Sequence, residues 1–217
     1  MDVVVLGAGS WGTALAILLA RNGNEVKLAG RDQEELASLR STRENLRYLP
    51  GFVLPENVEV CYLDEPLDPA DLWVIAVPSG AVREVCARIT GERPCVLVSS
   101  KGLEPGSGRV LTEVVAEMLP AAEVGVISGP NLAVELVRGI PTVAVVACPD
   151  PATAERVRDA FLNRNYRVYI GDDLVGVELA GALKNVLAIG AGMIDGLGYG
   201  DNTKGAMLAR GLHEMAC

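Results

Sequence analysis

Val3-Val4-Val5-Leu6-Gly7-Ala8-Gly9-Ser10-Trp11-Gly12 is the stretch whose reading decides the fold. Four aliphatic residues in a row, with no polar alternation, predict a strand buried on both faces, as in a parallel sheet. The small and apolar run from Gly12 to Arg21 predicts a buried helix, which Asn22-Gly23-Asn24 ends. Glu25–Ala29 predicts a second strand and completes a βαβ unit. The junction reads G-x-G-x-x-G. There Gly7 permits a tight turn, Gly9 lets a pyrophosphate approach the backbone, and Gly12 lets helix and strand pack closely. The helix start adds free N–H groups and the positive dipole end. The motif points to a dinucleotide, the alternative being a plain glycine-rich turn.

Working outward, Arg31-Asp32 closes the second strand. Asp32 fits the acid, about 20 residues past the glycines, that holds ribose hydroxyls, but it equally fits a helix N-cap for Gln33–Leu39, the reading slightly preferred. Arg31 fits a guanidinium stacked on adenine or meeting a 2′-phosphate, which keeps both NAD and NADP open. Tyr48–Pro55 reads as loop. Strands are expected at Val58–Tyr62, Leu72–Val77, Cys95–Ser99, Val124–Ile127, Thr142–Ala147 and Arg167–Ile170. Helices are expected at Ala81–Ile89, Gly108–Leu119, Asn131–Val137 and Asp150–Leu162. After Gly171 the alternation stops. Leu174–Ile194 predicts a long, largely buried helix, and Lys204–Met215 another. The expected architecture is α/β: a Rossmann-like, doubly wound, mostly parallel sheet over residues 1–171, then the start of an all-α domain over 172–217.

Composition narrows the chemistry. The chain has 217 residues with 24 glycines, a net charge of −9 and one histidine, His213. One histidine excludes histidine-clustered metal sites within the chain, and no metal is expected. Proton transfer then falls to Lys, Tyr, Asp or Glu. The acidic balance, with no basic stripe, argues against nucleic acid. Cys61, Cys86, Cys95, Cys148 and Cys217 form no C-x-x-C pair and suit reduced, mostly buried thiols in a cytoplasmic protein. Asp2 leads straight into a strand-like run, so no signal peptide is expected. The longest apolar runs, Ala14–Ala20 and Thr142–Cys148, are too short for a bilayer, so no membrane partner is expected.

Several motifs follow strand ends, where open α/β sheets bind ligands. Val77-Pro78-Ser79 closes one strand, as a cofactor-side loop or a simple terminator. Ser99-Ser100-Lys101-Gly102 puts a lysine past another, and Ser128-Gly129-Pro130-Asn131 sets up an anion-ready helix start or ordinary N-capping. Lys184-Asn185 sits inside the long apolar helix. A lysine there either faces a cleft, where desolvation makes it a usable acid or base, or snorkels from a polar stripe shared with Glu178 and Asn185.

Taken in order, Gly7–Ala16 (GAGSWGTALA), Val77-Pro78-Ser79, Ser99–Leu103 (SSKGL), Ser128-Gly129-Pro130, Glu178–Val186 (ELAGALKNV) and Gly196–Asn202 (GLGYGDN) resemble NAD(P)-dependent glycerol-3-phosphate dehydrogenases of the bacterial type. The resemblance implies hydride transfer between NAD or NADP and dihydroxyacetone phosphate, giving sn-glycerol 3-phosphate, a glycerophospholipid precursor. It implies that Lys184 is the catalytic proton carrier and also touches substrate. It makes Lys101 a contact of both cofactor and substrate. Ser10, Trp11, Arg31 and Ala133 become cofactor contacts alongside Gly7, Gly9 and Gly12, and Gly129 and Asn131 become substrate contacts. Asn131 departs from the usual Ser or Thr. The resemblance also implies later substrate-site residues absent from this chain, so an N-terminal portion of such an enzyme is expected, with its own activity or inactivity left open. A homodimer stays open. The alternatives are a non-catalytic dinucleotide-binding module and a related β-hydroxyacid-type reductase.

Overall fold

A computed structural model describes residues 1–216; Cys217 lies outside the described residues. In chain order the elements are β1 (Asp2–Leu6), α1 (Ser10–Arg21), β2 (Glu25–Gly30), α2 (Gln33–Thr42), β3 (Glu44–Asn45), β4 (Leu49–Val53), β5 (Val58–Tyr62), β6 (Leu72–Ile75), a 3₁₀ turn (Ser79–Ala81), α3 (Val82–Cys86), β7 (Cys95–Val98), α4 (Leu111–Met118), β8 (Glu123–Ser128), α5 (Ala133–Arg138), β9 (Thr142–Ala147), α6 (Pro151–Phe161), β10 (Tyr166–Gly171), α7 (Leu174–Gly196) and α8 (Asp201–Met215). Eight strands form one sheet in the order β10-β9-β8-β7-β6-β1-β2-β5. Neighbours run parallel, except that β8 and β9 are antiparallel.

The unbroken apolar run of β1 has a direct cause. Val3 and Val5 enter a core with α1, Leu36 of α2 and Phe161 of α6. Val4 and Leu6 enter a second core with Val82 of α3 and Leu111 of α4. Successive strand side chains point to opposite faces, so a central strand covered on both sides has no polar position. All four are at most 2% exposed. Each such burial contributes roughly 1.5–3 kcal/mol, so the strand is held by both layers of helices.

The structure departs from the sequence reading in several places. The Tyr48–Pro55 loop contains a hairpin strand, β4, paired with β3. Its Pro50 and Gly51 read as breakers, but a two-stranded ribbon tolerates them. Helix α4 starts at Leu111 rather than Gly108, whose φ of +71° breaks helical geometry. Helix α7 is not largely buried, because only Glu178 and Gly181 are. Val186, Ile189 and Met193 are 62–66% exposed. Finally, α7 has 23 residues and meets the length and composition of a membrane span. The bilayer argument counted uninterrupted apolar runs, and polar residues such as Glu178 and Lys184 interrupt this one.

The end of β1 lies between β2 and β6, with α1 leading to β2 on one side while β6 is reached on the other. That reversal opens a crevice at the carboxyl edge of the sheet, the usual ligand position in such folds.

Candidate functional site

The glycine turn bridges β1 and α1 at this crevice. Gly7 has φ +118°, and a Cβ there would lie 2.4 Å from the Ala76 carbonyl oxygen. A Cβ on Gly12 would lie 1.8 Å from the Gly7 oxygen, so glycine at both positions is a packing necessity. Gly9 differs: a Cβ there would meet nothing within 4 Å, so the space over it is open. Gly9 is also the N-cap of α1, and no side chain caps that helix. The first N–H groups, at Ser10 and beyond, thus face open space at the positive end of a helix of 12 residues. The Trp11 indole Nε1 is buried without a hydrogen-bond partner. Open space over Gly9, uncapped N–H groups and an orphaned donor fit a dinucleotide phosphate. The turn is braced from outside by buried Asn45, whose Nδ2 donates to the Ala8 oxygen at 2.9 Å and to Thr13 Oγ1 at 2.8 Å.

Arg31 is exposed at the carboxyl end of β2. Asp32 is the N-cap of α2 and accepts from the Glu35 N–H at 3.0 Å. Ala133 opens α5 and packs against the α1-side core.

Next to the glycine turn, the loops after β6 and β7 are stitched together. Ser100 Oγ donates to the Val77 oxygen at 2.6 Å and accepts from the Val77 N–H at 3.2 Å. Ser99 Oγ donates to the Ile75 oxygen at 2.8 Å. These bonds fix the backbone from which Lys101 projects. Lys101 is half-buried, and its Nζ donates to the Gly129 oxygen at 3.2 Å. Burial, and then the Lys184 ammonium beside it, hold the Lys101 ammonium below the ordinary lysine value. Lys101 and Gly129, from the loops after β7 and β8, therefore meet, and the Lys184 charge on α7 lies within electrostatic reach of Lys101. Two like charges within reach of one another favour an anion between them.

Asn131 lies beside this group with its amide engaged. Its Nδ2 donates to Thr142 Oγ1 and to the Val143 oxygen, both at 3.0 Å, and its Oδ1 accepts from the Tyr166 hydroxyl at 3.2 Å. The side chain thus ties the loop after β8 to β9 and β10. Its two donors are used within the protein.

One of the two sequence readings of Lys184 put Glu178 on a polar stripe with it. The structure instead buries Glu178 to 3% exposure at the N-terminus of α4. Its carboxylate accepts from the Leu111 and Thr112 N–H groups and from Thr112 Oγ1 at 2.6 Å. Burial pushes its carboxyl above the usual range, against those hydrogen bonds. One turn later Gly181 seats α7 on β8, because a Cβ there would lie 2.5 Å from Ser128 Oγ. A lone carboxylate in an otherwise apolar helical stretch was the available signal for this contact. For Asn45 and Tyr166 the sequence carried none.

A clefted surface of about 520 Å³ lies at the opposite, amino edge of the sheet, lined by Glu25, Lys27, Glu59 and Asp68 among others. It shares no residue with the glycine turn or the lysine pair.

Comparison with known proteins gives concordant results. Residues 2–154 match the model of the NAD-dependent glycerol-3-phosphate dehydrogenase N-terminus, and residues 173–217 that of its C-terminus. The chain is 46% identical to glycerol-3-phosphate dehydrogenase [NAD(P)+] of Geobacillus kaustophilus, over 99% of this chain and 64% of the relative. It is 47% identical to that of Thioalkalivibrio sulfidiphilus, over 98% and 66%. The crystal structure of a Coxiella burnetii glycerol-3-phosphate dehydrogenase superposes with a TM-score of 0.92 at 39% identity, over 99% of this chain and 67% of that one. The chain thus spans about two thirds of the length of the curated relatives it matches.

Proposed function

Given that the chain belongs to the NAD-dependent glycerol-3-phosphate dehydrogenase family, we propose that it serves the reversible reduction of dihydroxyacetone phosphate to sn-glycerol 3-phosphate. The observation that carries the reading is Lys101, half-buried on the Gly129 oxygen beside the glycine turn, with the Lys184-bearing helix seated through Gly181 on the adjoining Ser128. Residues 1–171 act as the cofactor unit, and residues 172–217 supply the first part of the substrate region.

In this reading Gly7, Gly9, Ser10, Trp11 and Gly12 hold the pyrophosphate, while Arg31 lies toward the adenosine end, where NAD and NADP both remain admissible. Ala133 borders the same crevice. When bound, the dinucleotide supplies or takes the hydride. Lys184 delivers a proton to the substrate oxygen, on which negative charge develops as the ketone is reduced. Lys101 stabilises that charge and anchors the substrate's polar end. Gly129 presents its backbone at the same place, and Asn131 holds that backbone against β9. The free, buried or half-buried Cys61, Cys86, Cys95 and Cys148 support a reducing, cytoplasmic setting.

The test is turnover of dihydroxyacetone phosphate with NADH and NADPH, on a form extended to its relatives' full length. Lys184→Ala there is expected to lower kcat by at least ~100-fold, the scale of losing a positioned general acid. NADH binding without turnover in that form would leave a non-catalytic dinucleotide module. Turnover of another keto substrate in its place would mark a different reductase.

A further inference from the structure

Helix α7 carries Lys184 yet buries few of its side chains, so broad packing does not set where that lysine stands. Two contacts do. Glu178 docks on the N-terminus of α4, and Gly181 seats on Ser128 of β8. Lys184 follows at the same spacing of three residues, each step rising about 4.5 Å along the axis. Both contacts and the lysine therefore lie along one ridge of the helix.

The partner of Glu178 is informative. The segment from Lys101 to Val110 leaves β7 carrying one of the two lysines and ends at the N–H groups that Glu178 accepts from. Helix α7 is therefore tied to both ends of that segment, by Glu178 at Leu111 and Thr112 and, at the other, through the end of β8, where Gly181 seats on Ser128 and Lys101 reaches the adjoining Gly129. A carboxylate at a helix N-terminus satisfies orphan donors and meets the positive dipole end, so this tie is directional. A slip of α7 by one residue would move its side chains about 1.5 Å along the axis and ~100° around it. Glu178 could not then reach both N–H groups. Among the described residues no salt bridge involves Glu178, so its geometry is set by these donors alone.

We propose that Glu178 is the positioning residue for Lys184, fixing the register of α7 against α4 and β8 and so setting where Lys184 stands relative to Lys101. The idea rests on the reading of Lys184 as the proton carrier, but its geometric half is testable without turnover.

The first experiment measures the pH dependence of Lys101 acetylation in the 217-residue chain by competitive labelling and mass spectrometry. Lys184→Met should move the Lys101 titration upward, toward the ordinary lysine value, by removing the neighbouring charge. Glu178→Ala should move it in the same direction by releasing α7. Glu178→Gln, which keeps an oxygen for the Leu111 and Thr112 N–H groups, should leave it near wild type. Thr112→Val removes only the hydroxyl bond and should give a smaller movement. It also serves if Glu178→Ala does not fold. A wild-type Lys101 titration in both Glu178→Ala and Thr112→Val, with Lys184→Met shifted, overturns the proposal. The second experiment, on the extended form, expects Glu178→Ala to lower kcat by ~10- to 100-fold, the cost of displacing a catalytic group by about 1 Å. Dinucleotide affinity should stay within ~3-fold, and Glu178→Gln should recover most of the rate. Unchanged kcat in Glu178→Ala also overturns it. Absent turnover in the unsubstituted form would count against the functional reading, while the labelling result would still decide the geometry.

Discussion

Gly9 and Gly12 sit three residues apart in one turn, and alanine at each should fail in a different way. At Gly12 the new Cβ would lie 1.8 Å from the Gly7 oxygen, where real contacts essentially never fall under 3.0 Å. Turn and helix must part by more than 1 Å, and neither a backbone carbonyl nor buried α1 yields easily. Overpacking of this kind costs about 1–3 kcal/mol, here toward the upper end. Alanine regains about 1 kcal/mol over glycine inside a helix. The net is ~2 kcal/mol of destabilisation, or about 4–8 °C in Tm for a chain of this size. At Gly9, with φ −74° and ψ −174°, the backbone suits any residue and the Cβ meets nothing within 4 Å. Stability should fall by no more than about 1 kcal/mol, from a poorer N-cap. The methyl would nevertheless stand over uncapped N–H groups that a pyrophosphate needs. Thermal melts followed by circular dichroism, beside NADH titration by fluorescence, separate the two effects. Gly12→Ala should lose stability and binding together. Gly9→Ala should keep its melt and lose at least ~10-fold in affinity, the equivalent of one 1.4 kcal/mol step. A Gly9→Ala chain that binds NADH like wild type, or a Gly12→Ala chain that melts like wild type, would refute the assignment of these glycines.

Removing the Asn131 amide should cost about 1–2 kcal/mol in urea unfolding, because Asn131→Ala strips partners from the Val143 oxygen and the buried Tyr166 hydroxyl. An unchanged urea midpoint would show that those groups find other partners. Arg83, and then Ser107, hold the Glu104 carboxyl down to about 2. The stabilisation from this ionised group should be present above its ordinary value of 4.5 and be lost as pH falls toward about 2. Carbon NMR titration should show the depressed midpoint, and Arg83→Gln should return it upward; an ordinary midpoint in the unsubstituted chain would count against the ion pair. Burial pushes the Cys148 thiol up to about 12. Its alkylation by iodoacetamide at pH 8 should therefore run at least ~100-fold slower in the folded chain than in urea. Equal rates would mean the site opens readily.

Local pattern and tertiary arrangement divided the work unevenly along the chain. Strand β9 and the capped start of α6 at Asp150-Pro151 follow directly from sequence, because apolar periodicity and cap chemistry are short-range. The G-x-G-x-x-G turn was equally legible, since each glycine answers a constraint from a close neighbour. The β3–β4 hairpin was hidden because Pro50 and Gly51 look like breakers, and its role appears only through Asn45, 37 residues away from Ala8. The later start of α5 was hidden for a similar reason: Asn131 spends its amide on β9 rather than on a helix cap.

The sequence by itself determined that this chain builds an α/β sheet with a dinucleotide turn at its first crossover, and that one histidine leaves acid–base chemistry near neutrality to Lys, Tyr, Asp or Glu. Those conclusions need only residue type and spacing. The family resemblance named Lys101 and Lys184 as a candidate pair, and the tertiary structure supplied the contacts around them. Lys101 and Lys184 are far apart in the chain, and their residue type and spacing carry no mutual signal. Helix α7, which carries Lys184, is held by the hydrogen bond that the Thr112 N–H donates across 66 residues to Glu178, and by the fit of Gly181 against Ser128. Burial and convergence belong to the packed molecule, because the free energy of a charge depends on what surrounds it once water is removed.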